Sequence, residues 1–308
     1  MTLPAFIDAG VEPHLDWIAL TEALRAGHLR PRAEVRDSFL YRGEDTLLSR
    51  AAWIDGLGIA VKSATIFPGN REAGKPAVNG GVSLYADGDG TLEAMLDFHL
   101  VTRWKTAADS LLAARLLARP ESRQIAIFGA GAVAGSMIAA YSAAFPGASF
   151  SIWNRTPEGA ERLAARHSAA VATRDAEAAV RSADIVCTAT MSSEPVLRGD
   201  WLQPGQHIDL IGAYRPDMRE ADDTALRRAR VFVDARATTI EHIGELRDPI
   251  ARGVIGPEDV VADYYDIAGG SFARRGPDEI TLAKNGGGAH LDLMTARYML
   301  DRWRASIG

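Results

Sequence analysis

The segment Gly129-Ala130-Gly131-Ala132-Val133-Ala134 spaces small residues as G-x-G-x-x-[GA], and the chemistry such a run performs is anion binding by the backbone. Gly129 permits a tight turn, Gly131 lets a pyrophosphate approach the main chain, and Ala134 keeps the following helix close to the strand before it. Ala132 and Val133 open that helix, where free N–H groups and the helix dipole favour a negative charge. Residues 125–128 are an apolar strand run, residues 131–144 are Ala-rich and helical in character, Pro146-Gly147 breaks the helix, and residues 149–153 make a second strand. Strand, turn, helix and strand in that order make a dinucleotide site the expectation. NAD-binding chains place a carboxylate at the end of the second strand to meet the ribose 2′-hydroxyl. Here that position reads Asn154-Arg155-Thr156, with no acid. The fork of Arg155 can meet a 2′-phosphate, with neutral hydrogen bonds from Asn154 and Thr156, so NADP(H) is expected in preference to NAD(H).

The elements that must position this turn follow from the rest of the chain. Its 308 residues suffice for about two domains, and 47% hydrophobic with 24% charged residues is ordinary for a globular protein. A net charge of −6 argues against nucleic-acid and polybasic membrane roles. No apolar run reaches membrane-spanning length and the start lacks a leader pattern, which makes the cytoplasm the expected compartment. The single cysteine, Cys187, lies in an apolar strand run and excludes an internal disulfide and any multi-cysteine metal site. Residues 13–27 carry helical spacing, and strand-like segments follow at 33–41, 46–53, 58–67, 81–85 and 91–96, separated by turn clusters. A mostly antiparallel sheet is expected there, then a helix over about 97–118 and a linker at Pro120-Glu121-Ser122. Beyond Arg155 helices and strands alternate (157–167, 184–188, 207–211, 231–234, 281–282), which predicts a parallel sheet with right-handed crossovers. The last helix, about 289–304, has an apolar face that must return to the first domain, making that domain discontinuous.

The run Val61-Lys62-Ser63-Ala64-Thr65-Ile66-Phe67-Pro68-Gly69-Asn70 resembles the ornithine cyclodeaminase/μ-crystallin family. The likeness continues in order through Lys105-Thr106-Ala107-Ala108, the glycine turn, Ile211-Gly212-Ala213, Arg219-Glu220 with Asp234, and residues 282–287, so it covers nearly the whole chain. It implies an α/β protein in which a Rossmann-type domain, residues 120–285, is inserted into a discontinuous α+β substrate and dimerisation domain, residues 1–119 with about 286–308. The site would lie in the cleft between them, and a homodimer is implied. Lys62 matches the family's active-site lysine and would pair with a substrate carboxylate; its apolar neighbours argue against a surface role. Arg42 matches a carboxylate-binding arginine, with Arg50 as competitor. Thr106 and Ser110 would lie near cofactor phosphates and nicotinamide, and Thr188 and Lys284 count among the expected cofactor contacts. His290 is either a proton donor or cofactor contact, or a cap on the last helix.

Two departures bear on activity. Lys105 stands where the family usually has Arg, so the charge is kept and the bidentate fork is lost unless Arg103 substitutes. Tyr214 stands where cyclodeaminases and related alanine dehydrogenases carry an Asp, and a tyrosine is a poor base at neutral pH. Asp217 could replace that acid only if its loop turned inward. Amine oxidation needs such a base more than imine reduction does. The resemblance therefore implies an NADPH-dependent reductase of a cyclic imino acid, Δ1-pyrroline-2-carboxylate to L-proline, served by Lys62, Arg42, Lys105 and Tyr214. An ornithine cyclodeaminase or alanine dehydrogenase, and a non-catalytic NADP(H)-linked binder, are the alternatives.

Overall fold

The computed structural model describes residues 3–307. The chain divides into two units: residues up to Lys105 with those from Gly288 onward, and Thr106–Gly287.

In the first unit β1 (Ala5–Ile7) and α1 (Trp17–His28) precede a meander of β2 (Glu34–Arg42), β3 (Asp45–Ile54), β4 (Gly58–Ile66), β5 (Val78–Tyr85) and β6 (Leu92–Asp97). The sheet order is β1-β6-β5-β4-β3-β2, antiparallel throughout except for β1 beside β6. Along β4, Gly58, Ala60, Lys62 and Ala64 alternate onto the buried face, as a strand with one covered face requires. The closing helix, Ala289–Ile307, covers β3, β4 and β5. Its buried face holds Leu291, Leu293, Met294, Ala296, Met299 and Leu300, and Asp292 lies among them.

Helix α2 (Phe98–Leu117) runs through the division between the units. The border falls after Lys105, where the sequence suggested residue 119. The later half of α2 is hydrogen-bonded into the second unit: the Asp109 carbonyl accepts from the Tyr264 hydroxyl at 2.6 Å, and the Leu117 carbonyl from Arg274 Nε at 2.6 Å and Thr281 Oγ1 at 3.2 Å.

The second unit contains eight parallel strands. They are β7 (Gln124–Phe128), β8 (Ser149–Trp153), β9 (Ala170–Thr173), β10 (Ile185–Thr188), β11 (His207–Leu210), β12 (Arg230–Val233), β13 (Val260–Ala262) and β14 (Thr281–Lys284). Between them lie α3 (Ala132–Ala144), α4 (Pro157–Ala164), α5 (Ala176–Ser182), α6 (Asp223–Arg228), α7 (Arg236–Thr239) and α8 (Gly244–Ala251). The order β13-β12-β14-β11-β10-β7-β8-β9 makes this a Rossmann-type sheet. From β7 the chain winds outward through β8 and β9, then restarts on the other side at β10. The point of reversal, between β7 and β10, is where such sheets bind ligands. β10, β11 and β14 are buried along their whole length, as central parallel strands should be.

Candidate active site

The glycine turn stands at that reversal. Gly129 follows β7 at φ +116°, and a Cβ there would lie 2.6 Å from the Ala189 carbonyl after β10. Gly131 is the N-cap of α3 and gives it no side-chain cap. Nothing lies within 4 Å of where a Gly131 Cβ would be, and Ala132 at the start of α3 is exposed. An uncapped helix start beside a side-chain-free cradle fits a pyrophosphate. After β8, Asn154 and its neighbours form a short turn in which Asn154 Nδ2 donates to the Thr156 carbonyl at 2.8 Å. Arg155 and Thr156 are exposed, and Arg155 makes no ion pair among the described residues. A guanidinium so placed fits a phosphate.

The loops after β10 and β11 are tied by buried carboxylates. Glu220 accepts from Thr190 N and Oγ1 and from Gly212 N, each at 2.7 Å, and from Ala213 N at 3.1 Å. Glu245 accepts from the Glu220 and Ala221 amides at 2.7 and 3.0 Å; burial and the Glu220 charge push its carboxyl up to about 7. Asp234 accepts from Gly286 N at 2.9 Å and Gly287 N at 2.6 Å. Asp209 accepts from Asn285 Nδ2 at 2.6 Å, Ser110 Oγ at 3.1 Å and the Tyr141 hydroxyl. Burial, only partly offset by these donors, pushes Asp209 up to about 7. Burial and the Asp209 charge likewise raise Cys187, a buried strand thiol and no nucleophile.

In the first unit charged side chains cluster under the closing helix. Lys62 Nζ donates to Asp292 Oδ1 at 2.8 Å, with side chains 9% and 1% exposed, and lies 4.8 Å from the centre of the Phe98 ring. Burial lowers the Lys62 pKa, and the charges of Lys105 and Arg50 lower it further against the opposing pull of Asp292. The Asp292 carboxyl is held low: burial would raise it, but Lys62, Lys105 and Arg50 together outweigh that. Arg50 pairs in register with Lys62 across β3 and β4, and one of its amines meets Asp37 at 2.6 Å. Lys105 is buried and has no ion-pair partner among the described residues. Lys62 is thus paired with Asp292 and Arg50 with Asp37, while Lys105 adds a buried cation beside them. The nearby histidines add none. Burial drives His28 down to about 4 and His290 far below its usual range, and the two rings meet edge to face at 5.4 Å.

Several expectations need correction. Arg42 sits at the tip of the β2–β3 hairpin, its side chain 81% exposed and paired with Asp45 at 3.0 Å; the register puts its competitor Arg50, and not Arg42, opposite Lys62. Arg103 cannot replace the missing arginine because it is bound to Glu12. Lys284, expected at the cofactor, instead directs its three donors to the carbonyls of Leu210, Ala213 and Asn285 at 2.7 to 2.9 Å in full burial. Thr188 is likewise buried, with its hydroxyl unpartnered. Ser110 is committed to Asp209, while Thr106 remains half-buried on α2. Tyr214 is 56% exposed, its ring 5.7 Å from the Arg215 guanidinium, and no packing holds it as a catalytic group. Asp217 is clamped by Arg215 at 2.9 Å on the surface and does not turn inward. His290 is buried, and burial pushes its imidazole far below its usual range. Sequence reasoning missed Asp292 altogether. The available signal was an acid on the buried face of an amphipathic helix, which demands a partner.

The chain belongs to the ornithine cyclodeaminase/mu-crystallin family, whose profile matches residues 53–306. The Delta(1)-pyrroline-2-carboxylate reductase of Paracoccus denitrificans is 50% identical over 303 residues, 96% of each chain. The ketimine reductase mu-crystallin of Mus musculus is 32% identical over 246 residues, 80% of this chain and 76% of that one. The fold matches that of Thermococcus litoralis Delta(1)-pyrroline-2-carboxylate reductase, solved with NADH and L-proline, at a TM-score of 0.89 with 24% identity and 98% of both chains covered.

Proposed function

We propose that this chain is an NADPH-dependent reductase of a cyclic imino acid, with Δ1-pyrroline-2-carboxylate as substrate and L-proline as product. The observation that carries the reading is the cluster of Lys62, Lys105 and half-buried Arg50, in which Lys105 is buried with no ion-pair partner among the described residues. A ring carboxylate pairs with that cation, and low surrounding polarity strengthens the attraction. Arg50 and Lys105 hold the carboxylate, and Lys62 faces the carbon–nitrogen bond. A bound nicotinamide supplies the hydride that reduces the imine carbon. The turn at Gly129 and Gly131 holds its pyrophosphate, and Arg155 selects the 2′-phosphate. Tyr214 on an open loop, with Asp217 bound to Arg215, leaves no carboxylate there to strip a proton from an amine, which favours reduction over cyclodeamination or alanine oxidation. The chain works as a cytoplasmic homodimer in this reading; the exposed Phe39, Leu40 and Tyr41 on edge strand β2 support self-association.

The test is NADPH oxidation on addition of Δ1-pyrroline-2-carboxylate, with the six-membered imine, ornithine and alanine as comparisons. Lys62→Ala should lower kcat/KM by ~10²–10³ while NADPH still binds. Arg155→Ala should weaken NADPH about tenfold and leave NADH unchanged. Reduction of no imine by either cofactor would refute the proposal.

A further inference from the structure

Asp292 reaches Lys62 across 230 residues of sequence and meets it through one oxygen only. Its Oδ2 is buried and has no hydrogen-bond partner. A carboxylate kept under such conditions needs a reason, because an unsatisfied buried charge opposes folding. Carboxylate binding does not supply one, since an acid beside Lys62 weakens the attraction for an anion. Proton supply does. An ammonium buried under a helix and flanked by two other cations tends to lose its proton, and an adjacent fixed carboxylate counters that tendency. The groups facing Lys62 are Arg50 from β3, Lys105 from α2 and Asp292 from the closing helix, with the neutral His28 and His290 nearby. Only Asp292 among them favours the charged lysine.

We infer that Asp292 is a positioning residue that holds Lys62 in place and protonated, so that Lys62 delivers the proton to the ring nitrogen while Arg50 and Lys105 hold the carboxylate. This rests on the reductase reading. In the balanced step the imine carbon takes hydride from the reduced nicotinamide, the carbon–nitrogen π pair takes a proton from Lys62 Nζ, and the product is the secondary amine. The neutral Lys62 amine is then reprotonated from water, and Asp292 stays ionised throughout.

The test compares the pH dependence of kcat in wild type, Asp292→Asn and Asp292→Glu. Asp292→Asn should lower kcat about tenfold or more near pH 8, change KM less than about threefold, and move the alkaline limb of kcat down by about one pH unit. Asp292→Glu keeps the charge on a longer arm, so its limb should stay at the wild-type position with kcat reduced. A limb unmoved in Asn, a limb moved equally in Glu and Asn, an unreduced kcat in Glu, or a loss confined to KM would each overturn the inference. Should Asp292→Asn not fold, the Glu variant decides alone by its limb and kcat. Competitive acylation of lysine amines, read by mass spectrometry across pH, needs no turnover. Lys62 should become reactive at lower pH in Asp292→Asn than in wild type, and equal labelling would overturn the pairing. A wild type that reduces no imine yet shows this labelling shift would sink the reductase reading and spare the pair.

Discussion

Two buried charge networks, one in each unit, are completed differently. In the second unit, Glu220 receives four donors and Lys284 spends all three of its hydrogens on carbonyls, so these two charges are matched by groups already in the chain. In the first, Lys105 is buried without an ion-pair partner among the described residues, Arg50 Nε is buried and unbonded, and Asp292 keeps an unused oxygen. Matched networks fix loops, and here they fix those at the ends of β10 and β11. Unmatched ones are tolerated where a ligand completes them.

The contrast breaks first at Glu220. Glu220→Ala strands four donors in a dry interior and should cost about 3–5 kcal/mol, measured by urea unfolding. A cost below about 1 kcal/mol would mean that the network is not structural. Acid should then probe His28, which is buried and neutral. Its pKa is depressed by burial to about 4 from 6.5, so the unfolded chain binds more protons between those values. The resulting stability is complete above pH 6.5 and is lost as pH falls towards 4, amounting to about 3 kcal/mol. His28→Gln should flatten the urea midpoint over that window. On the unmatched side, Arg50→Met should raise KM for the imine ~10- to 100-fold while the thermal midpoint stays within a few degrees, read by steady-state kinetics and calorimetry. Gly131→Ala meets no protein atom, so it should fold normally yet weaken NADPH about tenfold by fluorescence titration. Arg42→Ala, at the hairpin tip, should leave kcat/KM within about twofold.

Much of the fold was legible because periodicity reports burial. β2 to β6 emerged from turn clusters and alternation, and the motif from Gly129 to Ala134 with its flanks gave the turn, helix and second strand. β14 was harder to read. Four residues long and central in the sheet, it showed only Thr281 and Leu282 as strand-like, since its neighbours in space are far off in sequence. β1, β9 and β13, only three or four residues each, are too short to show a sustained alternation and went unread. At the site, Arg42 and Arg50 could not be separated until hairpin register placed Arg50 opposite Lys62. Lys284 could not be told from a ligand contact because its partners are carbonyls, which carry no sequence signature. Asp292 lay hidden because pairing across 230 positions leaves no local trace.

That separation has a consequence for biosynthesis. The second unit is spelled out without interruption, whereas the first waits for the closing helix, and with it the counter-charge for Lys62. During vectorial synthesis the second unit can mature while the lysine is still unpaired. A ribosome that stopped short of residue 288 would release a chain whose Lys62 has yet to meet its carboxylate.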